Sequence, residues 1–317
     1  MDFSSIKADA KATISQFKSQ NPDGVVIIWW ATATGKSRLS VELSDFFDME
    51  VISSDSRQIF RKMDIGTDKI SAEIRAKIPH YQIDIVNPDE TYTAGQWKED
   101  ADRYVDLILS KGKFPFIVGG TGLYIDTIYK NFSLPECPPD YELRAQLEAQ
   151  EAQSPGFLHR ELSKVDPEEA QKLHPNSLRY LVRALEIYQK TWITKTKGYI
   201  QQPVRHPLLM LGLWRDKETT NQLINARIKE MFKNGLVEEV DQLLREGYTP
   251  ELQSMQGIGY KEVVGYLQWN YDYEKMEELL KRNTHHLAKK QRTRFRRYIA
   301  EWKQDPKPWV TYKIWEL

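Results

Sequence analysis

The segment 25-VVIIWWATATGKSRLSVELSDFF-47 limits this chain more than any other. An apolar run too short for a buried helix leads into Gly35-Lys36-Ser37, and apolar residues at helical spacing follow. Strand, tight loop and helix in that order match the phosphate-binding pattern G-x-x-x-x-G-K-[ST]. In such a loop, backbone N–H groups at a helix N-terminus wrap a phosphate, the lysine adds charge, and the serine or threonine can ligate Mg²⁺. Lys36 and Ser37 occupy those last two places. Trp30 occupies the first glycine place, preceded by Trp29.

Further strands alternate with helices. MEVISSDS (49–56) reads as a strand ending in polar residues, GQWKEDADRYVDLILSKG (95–112) as an amphipathic helix, and FPFIVGGTGLYIDTIY (114–129) as strand, glycine turn and helix. This alternation predicts an α/β fold with a parallel sheet and ligands at the carboxyl ends of its strands. A proline-rich stretch, 132-FSLPECPPDYEL-143, marks a hinge or domain entry. Helical patterning follows from about 140 to 190, LLMLGLW (208–214) returns as a strand, and long helices are expected over 217–247 and 274–303. The expected domains are an α/β core in 1–132, a helical insertion in 133–198, and a core return strand with C-terminal helices in 199–317.

Composition narrows the class. With 45 basic and 45 acidic residues the net charge is zero, so any nucleic-acid surface must come from local clustering. Cys137 is the only cysteine, which excludes an intrachain disulfide and a cysteine-based metal cluster. The first 24 residues are polar, and no apolar run approaches the roughly 20 residues a spanning helix needs. A cytoplasmic, monomeric protein is expected.

Three further features carry chemistry. Asp55, after the second strand, can accept a proton or hold Mg²⁺ through water, or can simply cap a helix; spacing does not separate these readings. In 118-VGGTGLY-124 the glycines allow a close backbone approach to a ligand, or form a turn with no ligand at all. The run 281-KRNTHHLAKKQRTRFRR-297 has eight Lys or Arg and no acid. It suits a solvated helix face or, with Phe295 and Tyr298 interleaved, phosphate-backbone contacts. Adjacent His285 and His286 point about 100° apart on a helix and make a poor metal pair.

Together, ATATGKS, SSDSRQIFRKMDIGTDK, IPHYQIDIVNP, YTAGQWKEDA, VGGTGLYIDTI, HPNSLRYLVRALEIY, RIKEMFKNGLVEEV, QGIGYKE and LAKKQRTRFRR resemble the tRNA dimethylallyltransferase (isopentenyltransferase) family from about residue 25 to 303. The resemblance implies a P-loop NTPase-like core that transfers a dimethylallyl group from its diphosphate to N6 of adenosine 37 of tRNA, with the loop holding the leaving diphosphate. It implies that Asp55 takes the N6 proton, with Thr34 and Arg227 also in the catalytic set. It implies a diphosphate cradle of Trp30, Ala31, Thr32, Ala33, Thr34, Gly35, Lys36 and Ser37, with Mg²⁺ on Ser37. It places tRNA contacts at Ser56, Arg57, Gln58, Thr121, Gln256, Gly257, Gly259, Tyr260, Lys261, Lys289, Lys290, Gln291 and Arg292. The 133–198 segment corresponds to the family's swinging anticodon-side domain. Free-nucleotide prenyl transfer, phosphoryl transfer, and tRNA binding without catalysis are the competing activities.

Some positions depart from the family pattern. Ala31 replaces a proline, His285 an arginine, and Arg294 an aromatic, the last expected to be a surface change. Trp30, Trp192 and Trp269 stand where the family has glycine, and Trp29 is a candidate fourth. Nine Trp is a high count, while 16 Gly in 317 residues is below the usual ~7%. Three readings stand: the loop has diverged and weakened, the sequence is in error at these positions, or they are glycines specified by UGA, a codon that different genetic codes assign to tryptophan or to glycine.

Overall fold

The computed structural model describes residues 2–317, which divide into two compact units. One comprises the chain up to Tyr92, Trp97–Tyr129 and Val204–Leu317; the other comprises Thr93–Gln96 and Lys130–Pro203.

In the first unit, α1 (Phe3–Gln20) precedes β1 (Val25–Trp29), α2 (Lys36–Leu43), β2 (Met49–Ser54), α3 (Ala72–Lys77) and the two-residue β3 (His80–Tyr81). Then come α4 (Ala94–Ser110), whose first residues belong to the other unit, β4 (Phe114–Gly119) and α5 (Gly122–Tyr129). The second unit holds α6 (Tyr141–Gln153), α7 (Phe157–Val165), α8 (Pro167–Lys172), α9 (Leu178–Thr191) and α10 (Lys195–Gly198). The chain returns through β5 (Leu208–Trp214), α11 (Lys217–Lys233), α12 (Leu236–Arg245), α13 (Tyr260–Leu267), α14 (Tyr273–Gln304) and β6 (Val310–Glu316).

The strands form one parallel sheet in the order β3-β2-β4-β1-β5-β6. Every residue of β1, β2 and β4 is buried, as expected of strands covered on both faces. The central β1 lies between β4 and β5, so the loops after β1, β2 and β4 open at one edge of the sheet. That is where open α/β sheets bind ligands. The second unit packs Leu147, Leu158, Leu162, Leu181 and Leu185 into its own core. Beside that core, buried Glu186 accepts both guanidinium arms of Arg144, each at 2.8 Å.

Three expectations change. The polar N-terminus forms α1, which places Ile6, Ala10, Ile14 and Phe17 in the main core on one helical stripe. The helix expected over 217–247 breaks at Gly235, where φ is +95°, giving α11 and α12. The C-terminus is not helical throughout: β6 extends the sheet beyond β5, and buried Trp315 donates to Asp9 of α1 at 2.8 Å. No helix is long and apolar enough to cross a membrane.

Ile14 is fully buried between α1 and the sheet. Ile14→Ala should therefore destabilise the chain by about 2–5 kcal/mol, read from the urea midpoint at unchanged slope.

Candidate active site

Residues 30–37 leave the end of β1 and enter α2 through Gly35, which takes φ +93° at the N-cap. The Ala31 carbonyl points into this loop. It accepts the Lys36 ammonium at 2.8 Å and the Thr34 hydroxyl at 3.0 Å. Burial lowers the Lys36 ammonium from its ordinary 10.5 to about 8, partly offset by the negative charge of Asp55 and reinforced by Arg227. Lys36 thus sits in the electrostatic field of two residues brought from other elements. Ser37, on the first turn of α2, is exposed.

Asp55 follows β2 and accepts the Arg57 backbone N–H at 2.9 Å, an Asx turn that fixes its carboxylate. Thr121 follows β4. Its hydroxyl accepts the Ser56 N–H at 3.0 Å, and its own N–H donates to Ser54 at 3.0 Å. The loops after β2 and β4 are therefore locked to each other beside the phosphate-type loop. Buried Tyr124 stacks on Trp97 with ring centroids 4.4 Å apart and planes 10° apart, and Trp97 donates to Ser53 at 3.0 Å. Burial, with Asp55 nearby, raises the Tyr124 hydroxyl well above its ordinary range. The stack thus holds a buried aromatic pair within the electrostatic reach of Asp55.

The other side is built by α11 and α14. Arg227 donates to the Thr32 hydroxyl at 2.8 Å and pairs with Asp68 at 2.9 Å. Gln291 accepts the Thr32 N–H at 2.9 Å and donates to the Gly120 carbonyl at 2.9 Å. One side chain of α14 thereby ties the loop after β1 to the turn after β4. Nothing in the spacing of the basic run reveals that role, which the sequence assigned to tRNA contact.

The glycine turn has a protein-side cause. A Cβ on Gly119 would fall 2.5 Å from the Ser54 backbone, and one on Gly120 would fall 2.7 Å from the Gln291 amide. These glycines admit neighbouring chain segments, without need of a ligand. Arg294 is no surface change: it is half-buried, paired with Asp126 and laid over Gly122.

The residues expected to contact tRNA divide by exposure. Lys289 and Lys290 are exposed on α14, and so are Arg296 and Arg297. Arg292 is buried on the opposite face. Phe295 and Tyr298 pack inward against Trp29, at 4.6 and 5.8 Å between ring centroids, so they are core residues and no stacking platform. Gln58 is used internally, bonded to Ser53 and to the carbonyls of Thr67 and Asp68. Arg57 donates to Gln253 at 2.9 Å and so reaches the segment carrying Gln256, Gly257, Gly259, Tyr260 and Lys261. Tyr260 is buried, its hydroxyl 2.6 Å from Glu239. The same Glu239 carboxylate accepts the N–H groups of Asp64, Ile65 and Gly66, an anchor that the sequence did not signal. His285 bonds Asn225 at 2.9 Å.

For a metal, the described residues offer no cluster of three His, Cys, Asp or Glu side chains. Ser37, exposed on the first turn of α2, offers a hydroxyl, the kind of oxygen donor that Mg²⁺ takes.

A parallel sheet bearing a Gly-Lys-Ser loop after β1, with the Asp55 carboxylate held after β2 two strands away, defines a P-loop-like α/β core. The family model described as IPP transferase matches residues 58–298. A tRNA dimethylallyltransferase of Pelotomaculum thermopropionicum is 42% identical over 276 residues, covering 86% of this chain and 88% of that protein. The enzyme of the same name from Thermotoga petrophila is 40% identical over 274 residues, covering 86% and 90%. The crystal structure of the tRNA isopentenylpyrophosphate transferase of Bacillus halodurans superposes with a TM-score of 0.65 at 37% identity, covering 93% of this chain and 90% of that one. That of a eukaryotic dimethylallyltransferase acting on tRNA gives 0.72 at 29% identity, covering 92% and 73%. The chain belongs to the IPP transferase family.

An anion bound against Lys36 should restore its proton, because opposite charge favours the ammonium. The folded pKa is depressed, so in the free protein the ammonium is disfavoured and its proton is lost as pH rises through about 8. Inorganic diphosphate should accordingly bind with proton uptake at Lys36 above pH 8, and more weakly as pH rises further. Calorimetry in two buffers of different ionisation enthalpy measures this, and Lys36→Met should remove that uptake while leaving the diphosphate's own titration.

Proposed function

We propose that this chain transfers a dimethylallyl group from dimethylallyl diphosphate to N6 of adenosine 37 in tRNA, acting as a monomer. The observation that carries the reading is the meeting of Lys36 and Asp55. A phosphate-type lysine sits in the field of a carboxylate held at the end of β2, within a chain of this family. A carboxylate beside such a lysine also serves phosphoryl transfer, so it is the family that favours prenyl transfer here. The Asp55 carboxylate, whose charge reaches Lys36, supplies an acceptor for a proton.

The roles follow from the chemistry. The N6 lone pair attacks C1 of the allyl group, the C1–O bond breaks, and its electron pair leaves with the diphosphate. Negative charge grows on the diphosphate, where Lys36, Thr34, Arg227 and the first turn of α2 counter it. Mg²⁺ supplies further countercharge to the diphosphate when bound, with Ser37 holding it. Asp55 accepts the proton that N6 sheds. The Trp97–Tyr124 stack keeps water away from the allyl group. Thr121 positions Ser56 and the chain beside Asp55.

The target base must leave its stack to reach such a site. The exposed Lys289, Lys290, Arg296 and Arg297 of α14 provide phosphate contacts, and the 254–261 segment adds further contacts to tRNA. The helical unit, residues 130–203, serves the anticodon side.

The test is transfer of radiolabelled dimethylallyl to tRNA bearing unmodified A37, with AMP as a parallel acceptor, for the chain as it stands and for Trp30→Gly. Label should enter tRNA and not AMP. Asp55→Ala should lower kcat by about 10²- to 10⁴-fold with tRNA affinity unchanged. Equal labelling of AMP, or full activity in Asp55→Ala, would sink the reading.

A further inference from the structure

Three of the nine tryptophans have positive φ: Trp30 at 157°, Trp192 at 57° and Trp269 at 61°. The other such non-glycine residues are Ala33, Lys62, Asp68, Gln82, Asp84 and Asn131. Half of these are Asp or Asn, which tolerate this region through local hydrogen bonds. For a bulky residue it is a genuine outlier.

The hydrogen bonds around Trp269 and Trp192 show what the chain is doing there. After α13, the Trp269 N–H returns to Tyr266 at 2.9 Å and the Asn270 N–H to Gly265 at 3.0 Å. That is the paired 5→2 and 6→1 pattern of a Schellman cap, with residue 269 at its left-handed position. After α9, the Trp192 N–H returns to Tyr188 at 2.8 Å, the single 5→1 bond of the other left-handed cap. Both motifs are glycine motifs, because a Cβ is what the left-handed region penalises.

At residues 192 and 269 packing does little to offset the misfit, although the Trp192 ring meets Tyr188 edge-on at 5.9 Å. Trp269 is 92% exposed and Trp192 79%, so neither indole is held by a core. Trp97 and Trp315 contrast with them: both are buried, both bond through the indole N–H, and neither has positive φ. Trp30 differs again. Its ring is buried, stacked on Phe295 at 5.7 Å, and lies 3.1 Å from where a Cβ on Gly212 would stand. Its φ is at the far edge of the glycine region, at the first step of the anion loop. Trp29 keeps an ordinary strand conformation in the β1 ladder.

We propose that residues 30, 192 and 269 are glycine in the polypeptide its own cell makes, each specified by a UGA codon that the cell decodes as glycine. Trp29 lies outside the proposal. At residues 192 and 269 the assignment stands on backbone geometry and does not rest on the reaction proposed above; at residue 30 its test also rests on the loop binding diphosphate, as in that reading.

Three measurements test it. Codons 192 and 269 should be UGA, and codon 30 with them; UGG at 192 and 269 overturns the proposal. The protein isolated from its source cell should have the intact mass of the three-glycine chain; a mass with three tryptophans overturns it. In the chain as written, Trp192→Gly and Trp269→Gly should each raise Tm by about 2–4 °C over both the tryptophan and the alanine variants. Alanine removes the indole but keeps the Cβ, so a gain from alanine equal to that from glycine overturns the backbone argument. At residue 30 the readout is the loop, since Trp30→Gly also removes a buried ring. It should tighten inorganic diphosphate binding about tenfold or more. Unchanged affinity would overturn the assignment at that position.

Discussion

The parallel pairing of β1 between β4 and β5 is the constraint on which the site depends. It sets Trp29 level with Gly119 on one side and Gly212 on the other. β4 in turn sets Gly119 level with Ser54. A Lys36 loop, an Asp55 turn and a Thr121 turn must then begin at nearly the same height of the sheet. The local bonds, Thr121 to Ser56 and Gln291 to Thr32 and Gly120, only refine a convergence that the register already imposes. Preorganisation of this kind is what a site that stabilises developing charge requires, because its dipoles need not reorganise during reaction.

The 32-residue α14 serves two environments with one sequence. Its buried positions Thr284, Ala288, Arg292, Phe295, Tyr298 and Trp302 recur every three or four residues and face the core. Lys289, Lys290, Arg296 and Arg297 fall between them and face solvent. A basic run with interleaved aromatics therefore has an ordinary physical origin in helical periodicity. The aromatics belong to the fold together with Arg292 and Arg294, and Lys289, Lys290, Arg296 and Arg297 belong to the surface. Gln291 lies at the border between the two faces, which is why it can reach the active-site loops.

What could be read from the sequence follows from how local each signal is. The strand–loop–helix at 25–47, the strand at 208–214 and the glycine turn at 118–124 each carry their pattern within a few residues, and the structure places all three. The N-terminal α1 escaped because its apolar residues are sparse, with Ile6, Ala10, Ile14 and Phe17 separated by polar ones. The edge strand β6 escaped because only Trp315 along it is buried, so no apolar run marks it. Arg294 and Glu239 were unreadable for a different reason. A side chain's partner 168 or 175 residues away leaves no trace in the residues beside it.

The tryptophans show how a chemically unsuited residue can be more informative than a suited one. Glycine at residue 192 or 269 would pass unremarked, since either cap accepts it without strain. Tryptophan there forces a choice between moving the backbone and keeping the turn. The chain keeps the turn in both places: the capping bonds at Tyr188, Gly265 and Tyr266 are intact. The flanking segments therefore specify these caps without help from the residue at the left-handed position. The next segments, starting at Thr194 and Asp272, cap the helices that follow. A turn so determined by its surroundings records which residue suits it, whatever residue is written there.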